Sequence, residues 1–271
     1  MSFKHLSVSL VLLIQGALSP ALADSFQDLI DGAGTVDEAV NTIVEVIEKQ
    51  GYEVPLIVNH AAAAASVGLV LRPTQVVFAR PPRPLERRFV NRSTTAGIDL
   101  PVKFLVFEDA DGDIQLRYNA IGYLLDRHDM PTSDLLLWVL RGATEQFGDL
   151  DDGLITVPSS QSIDDTVADL TAAISANDAF RIPLVLEYDA GPVLIVFGNP
   201  NAGTPLMQAT QEIGLDLPQK FLVWKDHRGR VQITYNDPFF AAKRHNVQGQ
   251  DDRLAAIAGA LANFAAAGAG S

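Results

Sequence analysis

The same hairpin sequence occurs twice in this chain, 117 positions apart. Residues 104–120 read FLVFEDADGDIQLRYNA, and residues 221–237 read FLVWKDHRGRVQITYND. The offset holds without a gap over the longer stretches 99–128 and 216–245. A repeat period of more than one hundred residues is far longer than that of a solenoid, so it predicts two domains that arose by duplication.

Segments on both sides of the hairpin extend the repeat. The helical pattern of residues 35–51 parallels that of residues 162–178, and each opens with a Thr or Ser cap followed by acidic residues, as helix N-termini prefer. A closing helix is predicted in each copy, at residues 133–148 and 251–268. We therefore divide the mature chain into a first repeat, residues 24–150, and a second repeat, residues 151–271.

The strand pattern predicts an α+β fold for each repeat. Apolar and polar residues alternate in Ile114–Tyr118 and in Val231–Tyr235, which is typical of a half-buried strand. Gly112 and Gly229 stand where a short hairpin loop needs a positive φ. Upstream, residues 77–81 (VFARP) align with residues 196–200 (VFGNP) as a further strand. The order in each repeat is then strand, helix, two strands, a hairpin of two strands and a closing helix.

Residues 1–23 have the three parts of a secretory signal peptide. Lys4 and His5 precede an apolar run from Leu6 to Leu18, and the segment ends in the small residues Ala21-Leu22-Ala23. We expect export to the periplasm or the medium and a mature chain that begins at Asp24, which N-terminal sequencing checks. A buried N-terminal helix is the alternative reading.

Charge and cysteine content narrow the classes of partner. The chain has no Cys and a formal net charge of −13, which becomes −14 once Lys4 is removed with residues 1–23. This excess of negative charge argues against nucleic acid and anionic lipid as partners. No membrane span is expected after the signal peptide, which leaves a small molecule or a protein as the possible partner.

Four stretches carry a resemblance to a known family. They are VNHAAAAASVGLVLRP (58–73), VFGNPNAGTPLMQ (196–208), the DLP-K-LV start of each hairpin and the YN…RH ending. Together they resemble the domain-of-unknown-function 302 family, in two tandem copies. The resemblance implies a strand–helix–four-strand–helix domain with a two-layer layout like that of TATA-binding protein, and often a dimer. It implies no activity. The two repeats are then expected to pack together as an intrachain pseudo-dimer.

The two copies depart from the family pattern in complementary ways. The first repeat keeps His60 and the alanines after it, whereas in the second repeat residues 188–192 lead straight into the next strand. The second repeat keeps the Gly198–Met207 loop, whereas the first has an Arg-rich sequence there. Either the two kept parts form one composite site between the repeats, or each repeat independently lost part of a site that was no longer used.

Ten residues are candidates for ligand contacts, and each also has a structural reading. His60 is a polar contact, an acid or base, or a ligand for haem or a metal; the alternative is a capping histidine. Asn199, Thr204 and Met207 belong to the loop that would share a site with His60. The YN…RH endings supply the rest, which turns or helix ends explain as well: Tyr118, Asn119, Tyr235, Asn236, His128 and His245.

Two further clusters have simpler explanations. The loop that begins at Asp109 lacks the Gly and Glu positions of an EF-hand, so no metal site is predicted. Five arginines stand close together in an otherwise acidic chain: Arg80, Arg83, Arg87, Arg88 and Arg92. They suit an anionic ligand, but we favour docking against the acidic second repeat or a second chain.

The sequence favours an exported binding protein for a small molecule or a partner. No G-x-S-x-G, H-E-x-x-H, P-loop or dinucleotide fingerprint is present. One alternative is an enzyme that uses His60 with the Gly198–Met207 loop, and another is a structural or assembly module. No cofactor is indicated.

Overall fold

A computed structural model describes residues 27–130 and 152–270. The predicted signal peptide (1–23) and the first predicted closing helix (133–148) lie outside these residues. The helices are α1 (Val36–Lys49), α2 (His60–Ala65), α3 (Arg83–Arg92), α4 (Ile121–Arg127), α5 (Ile163–Ser175), α6 (Pro200–Ala209), α7 (Pro238–Arg244) and α8 (Asp251–Gly268). The strands are β1 (Glu53–Asn59), β2 (Thr74–Arg80), β3 (Val102–Glu108), β4 (Ile114–Tyr118), β5 (Leu154–Pro158), β6 (Arg181–Glu187), β7 (Val193–Gly198), β8 (Gln219–Lys225) and β9 (Val231–Asn236).

Each repeat builds one antiparallel sheet, and the fold class is α+β, as predicted. The first sheet has the strand order β1-β2-β3-β4 and the second has β5-β9-β8-β7-β6. Strands β6 to β9 repeat the arrangement of β1 to β4, and β5 adds a fifth strand beside β9. In the first repeat, residues 27–30 form a helical turn ahead of α1, so the described residues there contain no counterpart of β5.

Helices cover the outer face of each sheet. Helix α1 is capped by Thr35, whose Oγ1 accepts a hydrogen bond from the backbone N–H of Glu38, and it buries Val36, Val40 and Ile43 against the first sheet. In the second repeat α5 and α8 both pack on the sheet, through residues such as Leu170 and Leu261. These apolar stripes follow the helical period from which the sequence predicted the helices.

The inner faces of the two sheets pack against each other, so the molecule has four layers: helix, sheet, sheet, helices. Phe78 and Leu105 of the first repeat belong to the same buried cluster as Val196 and Leu222 of the second. Oη of Tyr188 in the second repeat lies 2.7 Å from the carbonyl oxygen of Gly97 and also contacts that of Leu100. The two repeats thus share a hydrophobic core.

The Arg-rich segment of the first repeat forms α3, the counterpart of α6. A 3₁₀ turn follows each helix, at Thr94–Ile98 and at Gln211–Leu215. The expectation that the first repeat had dropped this part is therefore wrong for the backbone, although its side chains differ. The second repeat lacks a counterpart of α2 within its described residues, since a tight turn at 188–192 joins β6 to β7.

Three of the five arginines contact the second repeat, which is the docking that the sequence favoured: Arg80 of β2 and Arg83 and Arg87 of α3. Arg80 forms a buried ion pair with Glu86, and its Nη2 donates to the carbonyl oxygen of Glu187 at 3.1 Å. Arg83 and Arg87 both pair with Asp189. These contacts use the Arg side chains to hold the repeats together.

Candidate functional site

A cavity of about 760 Å³ lies where the first repeat meets the second. The first repeat contributes the end of β1 and helix α2, and the second contributes the starts of β6 and β8, helix α6 and one side of α8. Its volume is in the range of pockets that hold drug-sized molecules. The cavity therefore requires both repeats.

His60 is the first residue of α2 and lines this cavity. Oδ1 of Asn59 caps the helix by accepting from the N–H of Ala62 at 2.8 Å, which fixes where His60 enters the cavity wall. The His60 side chain is buried, with 5% of the residue exposed, and its Nε2 has no hydrogen-bond partner among the described residues. Burial lowers the pKa of His60 to about 4, although a hydrogen bond to the backbone of Gly214 acts in the opposite direction. The ring is therefore neutral at pH 7.

Helix α6 supplies the facing wall. Asn199 caps it by accepting from the N–H of Asn201 at 3.0 Å, and Pro200 occupies its first turn. Thr204 and Met207, one turn apart, are buried and line the cavity. A Thr hydroxyl inside a helix commonly donates to the carbonyl four residues earlier. Oγ1 of Thr204 instead has no partner among the described residues.

The glycines of this segment have a packing role. A Cβ on Gly198 would lie 3.3 Å from Cβ of Pro218, and one on Gly203 would lie 3.5 Å from a methyl group of Leu217. In the structure they let α6 pack closely against the start of β8.

Sequence reasoning missed several of the residues that line the cavity. Gln219 begins β8, and its Oε1 is a third buried polar atom without a partner among the described residues. Three aromatic rings form an apolar wall: Phe264 lies edge-on to Phe180, at 5.2 Å between ring centroids, and to Phe197, at 6.0 Å. An apolar residue on α8 gives no sign in the sequence that it faces a cavity rather than a core, so nothing could have identified Phe264.

Of the ten predicted residues, the structure brings four together in the cavity and puts six elsewhere. His60, Asn199, Thr204 and Met207 all line it. Tyr118 packs against the core of the first repeat, and Tyr235 belongs to the core beneath α5 and α8. The remaining four lie in two buried polar networks where the repeats meet: Asn119, His128, Asn236 and His245.

The two networks are related by the duplication. In the first, Asp99 accepts from Nη1 of Arg127 at 2.8 Å, contacts Nε2 of His128 at 2.9 Å and pairs with Lys220 of the other repeat at 3.8 Å. Arg127 also donates to Oδ1 of Asn236 in the second repeat, at 2.8 Å.

The second network exchanges the roles of the repeats. Asp216 accepts from Arg244 at 2.9 Å, contacts His245 at 2.8 Å and pairs with Lys103 of the first repeat at 3.5 Å. Arg244 in turn donates to Asn119 across the interface. The repeated YN…RH motif therefore has a structural role, holding each repeat to the other.

Charge pairing keeps both aspartates ionised inside the protein. Burial alone would raise the pKa of Asp99, but Arg127, His128 and Lys220 hold it well below its usual value. Lys103, Arg244 and His245 lower the pKa of Asp216 in the same way. Burial and the neighbouring ammonium of Lys103 lower the pKa of Lys220. The sequence contained a signal for these buried charge networks: a Lys directly precedes the apolar FLV segment in both copies, at Lys103 and Lys220.

The fold thus defines an α+β protein of two tandem repeats with a cavity between them. A family model described as Domain of unknown function DUF302 matches residues 31–145 and 155–264. The chain belongs to this family and contains two copies of its domain.

Curated relatives and one solved structure share part of the chain. The Fluoride-specific ion channel FluC 1 of Brucella suis biovar 1 (strain 1330) is 38% identical over 108 residues, which are 36% of this chain and 42% of that protein. FluC 1 of Brucella abortus biovar 1 (strain 9-941) and FluC 2 of Brucella melitensis biotype 1 are also 38% identical, over 40% of their length. The chain thus spans about two fifths of these relatives.

The solved structure is that of an uncharacterized conserved protein DUF302 from Bacillus stearothermophilus. It is 19% identical, has a TM-score of 0.37, and the match covers 41% of this chain and 94% of the other. As for membrane spans, no helix within the described residues of the present chain has the length and apolar character to cross a bilayer.

Proposed function

We propose that the protein binds a small, largely apolar molecule in the cavity between its two repeats. The observation that carries this proposal is a cavity of about 760 Å³ whose lining is mostly apolar and includes a few polar side chains, those of His60, Thr204 and Gln219 among them. Pockets that bind small molecules have this composition. A ligand with one polar group on an apolar body would fit such a lining.

Export belongs to the same proposal. The pattern of residues 1–23 supports a signal peptide that is removed after Ala23, so the binding protein would act in the periplasm or outside the cell. Both repeats would remain in the mature chain, and each contributes part of the cavity wall.

Narrowing the cavity tests the proposal. N-phenyl-1-naphthylamine, a fluorescent apolar probe, should bind the full chain saturably at one site. Replacing two small lining residues together, Ala63→Phe and Ala256→Phe, should weaken this binding by about tenfold or more, because the rings occupy the space of the probe.

The matched control uses neighbours on the same helices. Ala65 and Ala255 are exposed and lie outside the cavity lining, so Ala65→Phe with Ala255→Phe should leave the affinity unchanged. Equal affinities for the two double variants, or no saturable binding to the wild type, would overturn the proposal. Circular dichroism confirms that each variant is folded.

A further inference from the structure

We infer that the chain binds a single ligand although its two-fold pseudo-symmetry provides two positions, because three of its own side chains fill the second position. This inference rests on the proposed function and states which residues close the other site. The three side chains are those of Arg80, Glu86 and Tyr188, which we call the plug. Each of them takes the place of a residue that lines the cavity.

The pseudo-symmetry of the molecule predicts two cavities. In a two-fold arrangement of repeated units, each contact between the units occurs twice, with the roles of the units exchanged. The two charge networks follow this rule, since Asp99 and Asp216 each pair with a Lys of the opposite repeat. The cavity combines β1 and α2 of the first repeat with α6 and the start of β8 of the second. The exchanged combination is β6 and the turn at 188–192 with α3 and the start of β3.

The registers of the edge strands show which residue corresponds to Arg80. Arg80 ends β2 and pairs with Glu53, the first residue of β1. Gly198 ends β7 and pairs with Arg181, the first residue of β6. Arg80 therefore occupies the position of Gly198, which lines the cavity.

The other two members of the plug also have counterparts in the cavity lining. Glu86 is the fourth residue of α3, as Gly203 is the fourth residue of α6. Tyr188 directly follows β6, as His60 directly follows β1. Gly203 and His60 both line the cavity. The first repeat thus has long charged side chains, Arg80 and Glu86, at the two positions where the second has glycines.

The side chains of the plug are buried and bonded to one another and to both repeats. Nη2 of Arg80 donates to Oε1 of Glu86 at 2.9 Å and to the carbonyl oxygen of Glu187 at 3.1 Å. The guanidinium carbon of Arg80 lies 6.0 Å from the ring centroid of Tyr188, within the range of a cation–π contact. Oη of Tyr188 donates to the carbonyl oxygen of Gly97. These contacts fill the second position with atoms of the protein itself.

The stoichiometry of binding tests this inference. In a fluorescence titration at protein concentrations well above Kd, the full wild-type chain should bind about one equivalent of N-phenyl-1-naphthylamine. Arg80→Ala with Glu86→Ala should raise this to about two equivalents, because removing buried side chains leaves space that an apolar molecule can enter. Both charges are removed together, so that neither remains buried without its partner.

The matched control removes two other charges of α3. Arg83 and Arg87 are exposed and pair with Asp189 of the second repeat, outside the plug. Arg83→Ala with Arg87→Ala should therefore leave the stoichiometry of the wild type unchanged, although it too removes contacts between α3 and the second repeat. Circular dichroism shows whether each variant is folded.

A second measurement uses the wild type alone and does not depend on the folding of a variant. Val90 and Met207 are the eighth residues of α3 and α6, and both are buried. Met207 lines the cavity. In methyl NMR spectra, the probe should shift the resonance of Met207 and leave those of Val90 unchanged.

The outcomes distinguish this inference from the proposed function. Two equivalents per wild-type chain, shifts at both Val90 and Met207, or a single equivalent in the folded Arg80→Ala/Glu86→Ala variant would each contradict the inference while the binding function stands. If the probe does not bind the wild type saturably, the proposed function itself fails.

Discussion

His60 is unusual among the buried histidines of this protein, because one of its ring nitrogens has no partner among the described residues. A His buried to this extent usually uses both ring nitrogens, because each unpaired one costs free energy. Here Nε2 of His60 is buried and has no partner among the described residues. By contrast, Nε2 of the buried His128 contacts the carboxylate of Asp99, and its Nδ1 contacts Oγ1 of Thr95.

The burial of His60 predicts a specific dependence of stability on pH. Its pKa is about 4 in the folded protein, against an ordinary value of 6.5, so between these values the unfolded chain binds more protons than the folded one. The contribution of His60 is therefore fully present above about pH 6.5 and is lost as the pH falls towards 4. From pH 7 to pH 5 the free energy of unfolding should fall by about 2 kcal/mol on account of this residue.

Comparison with His60→Phe isolates this effect. Urea unfolding of both proteins at pH 7 and pH 5 gives the pH dependence of each, and groups shared by the two, including His128 and His245, cancel in the difference. The variant should lose about 2 kcal/mol less than the wild type over this range. The same loss in both proteins would show that His60 does not titrate with a lowered pKa.

At the level of elements, the alignment of the two copies was predicted well except in the strand before α3 and α6. Matching VFARP with VFGNP pairs Phe78 with Phe197, but the structure pairs Val77 with Phe104 and Ile195 with Phe221. Phe78 consequently faces the other repeat, whereas Phe197 faces α8 and the cavity. The alignment was wrong by one residue, which moves every side chain to the opposite face.

The reason for the error is physical. β2 and β7 are buried on both faces, so apolar residues run continuously through the middle of β2 (76–79) and from Val193 to Phe197 in β7. They give no alternation from which the phase of the strand could be read. β4 and β9 are preceded by hairpin loops whose glycines have φ of +89° and +76°, and here the offset of 117 was correct.

His60, Asn199, Thr204 and Met207 could be proposed because the two copies differ there. The cavity wall from α8 could not, because its apolar residues resemble any helix face.

Helix α8 offers a matched pair of glycines for testing its packing. A Cβ on Gly268 would lie 2.4 Å from Cγ of the fully buried Leu170 of α5, whereas one on Gly259 meets nothing within 4 Å. Gly268→Ala should lower the free energy of unfolding by about 1–3 kcal/mol through overpacking. Gly259→Ala should raise it by about 0.5–1 kcal/mol, because Ala is the better helix former. Urea unfolding of both variants checks this, and equal effects of the same sign would contradict the close packing of α8 on α5.

On the scale of the whole molecule, the two repeats are joined by a shared apolar core and by two reciprocal charge networks. Each network needs a Lys from the opposite repeat, Lys220 for Asp99 and Lys103 for Asp216. Removing one partner from a buried ion pair is strongly destabilising, because it leaves a charge without compensation. Such networks favour one relative position of the repeats, and the cavity depends on that position because its walls come from both.

This arrangement predicts that the two repeats unfold together. Trp138→Phe leaves Trp224, in β8 of the second repeat, as the single tryptophan. Ile43 lies at the far side of the first repeat, between α1 and the first sheet, and Ile43→Ala should cost about 2–5 kcal/mol. Because the core between the sheets couples the repeats, this substitution should shift the Trp224 fluorescence transition in urea as much as the circular dichroism transition. Ile174→Ala, in the core between α5 and the second sheet, is the matched control and should shift both signals in the same way. If Ile43→Ala instead produces an early circular dichroism transition while Trp224 keeps its original midpoint, the repeats fold independently. The cavity would then lie at the interface of two domains that fold separately.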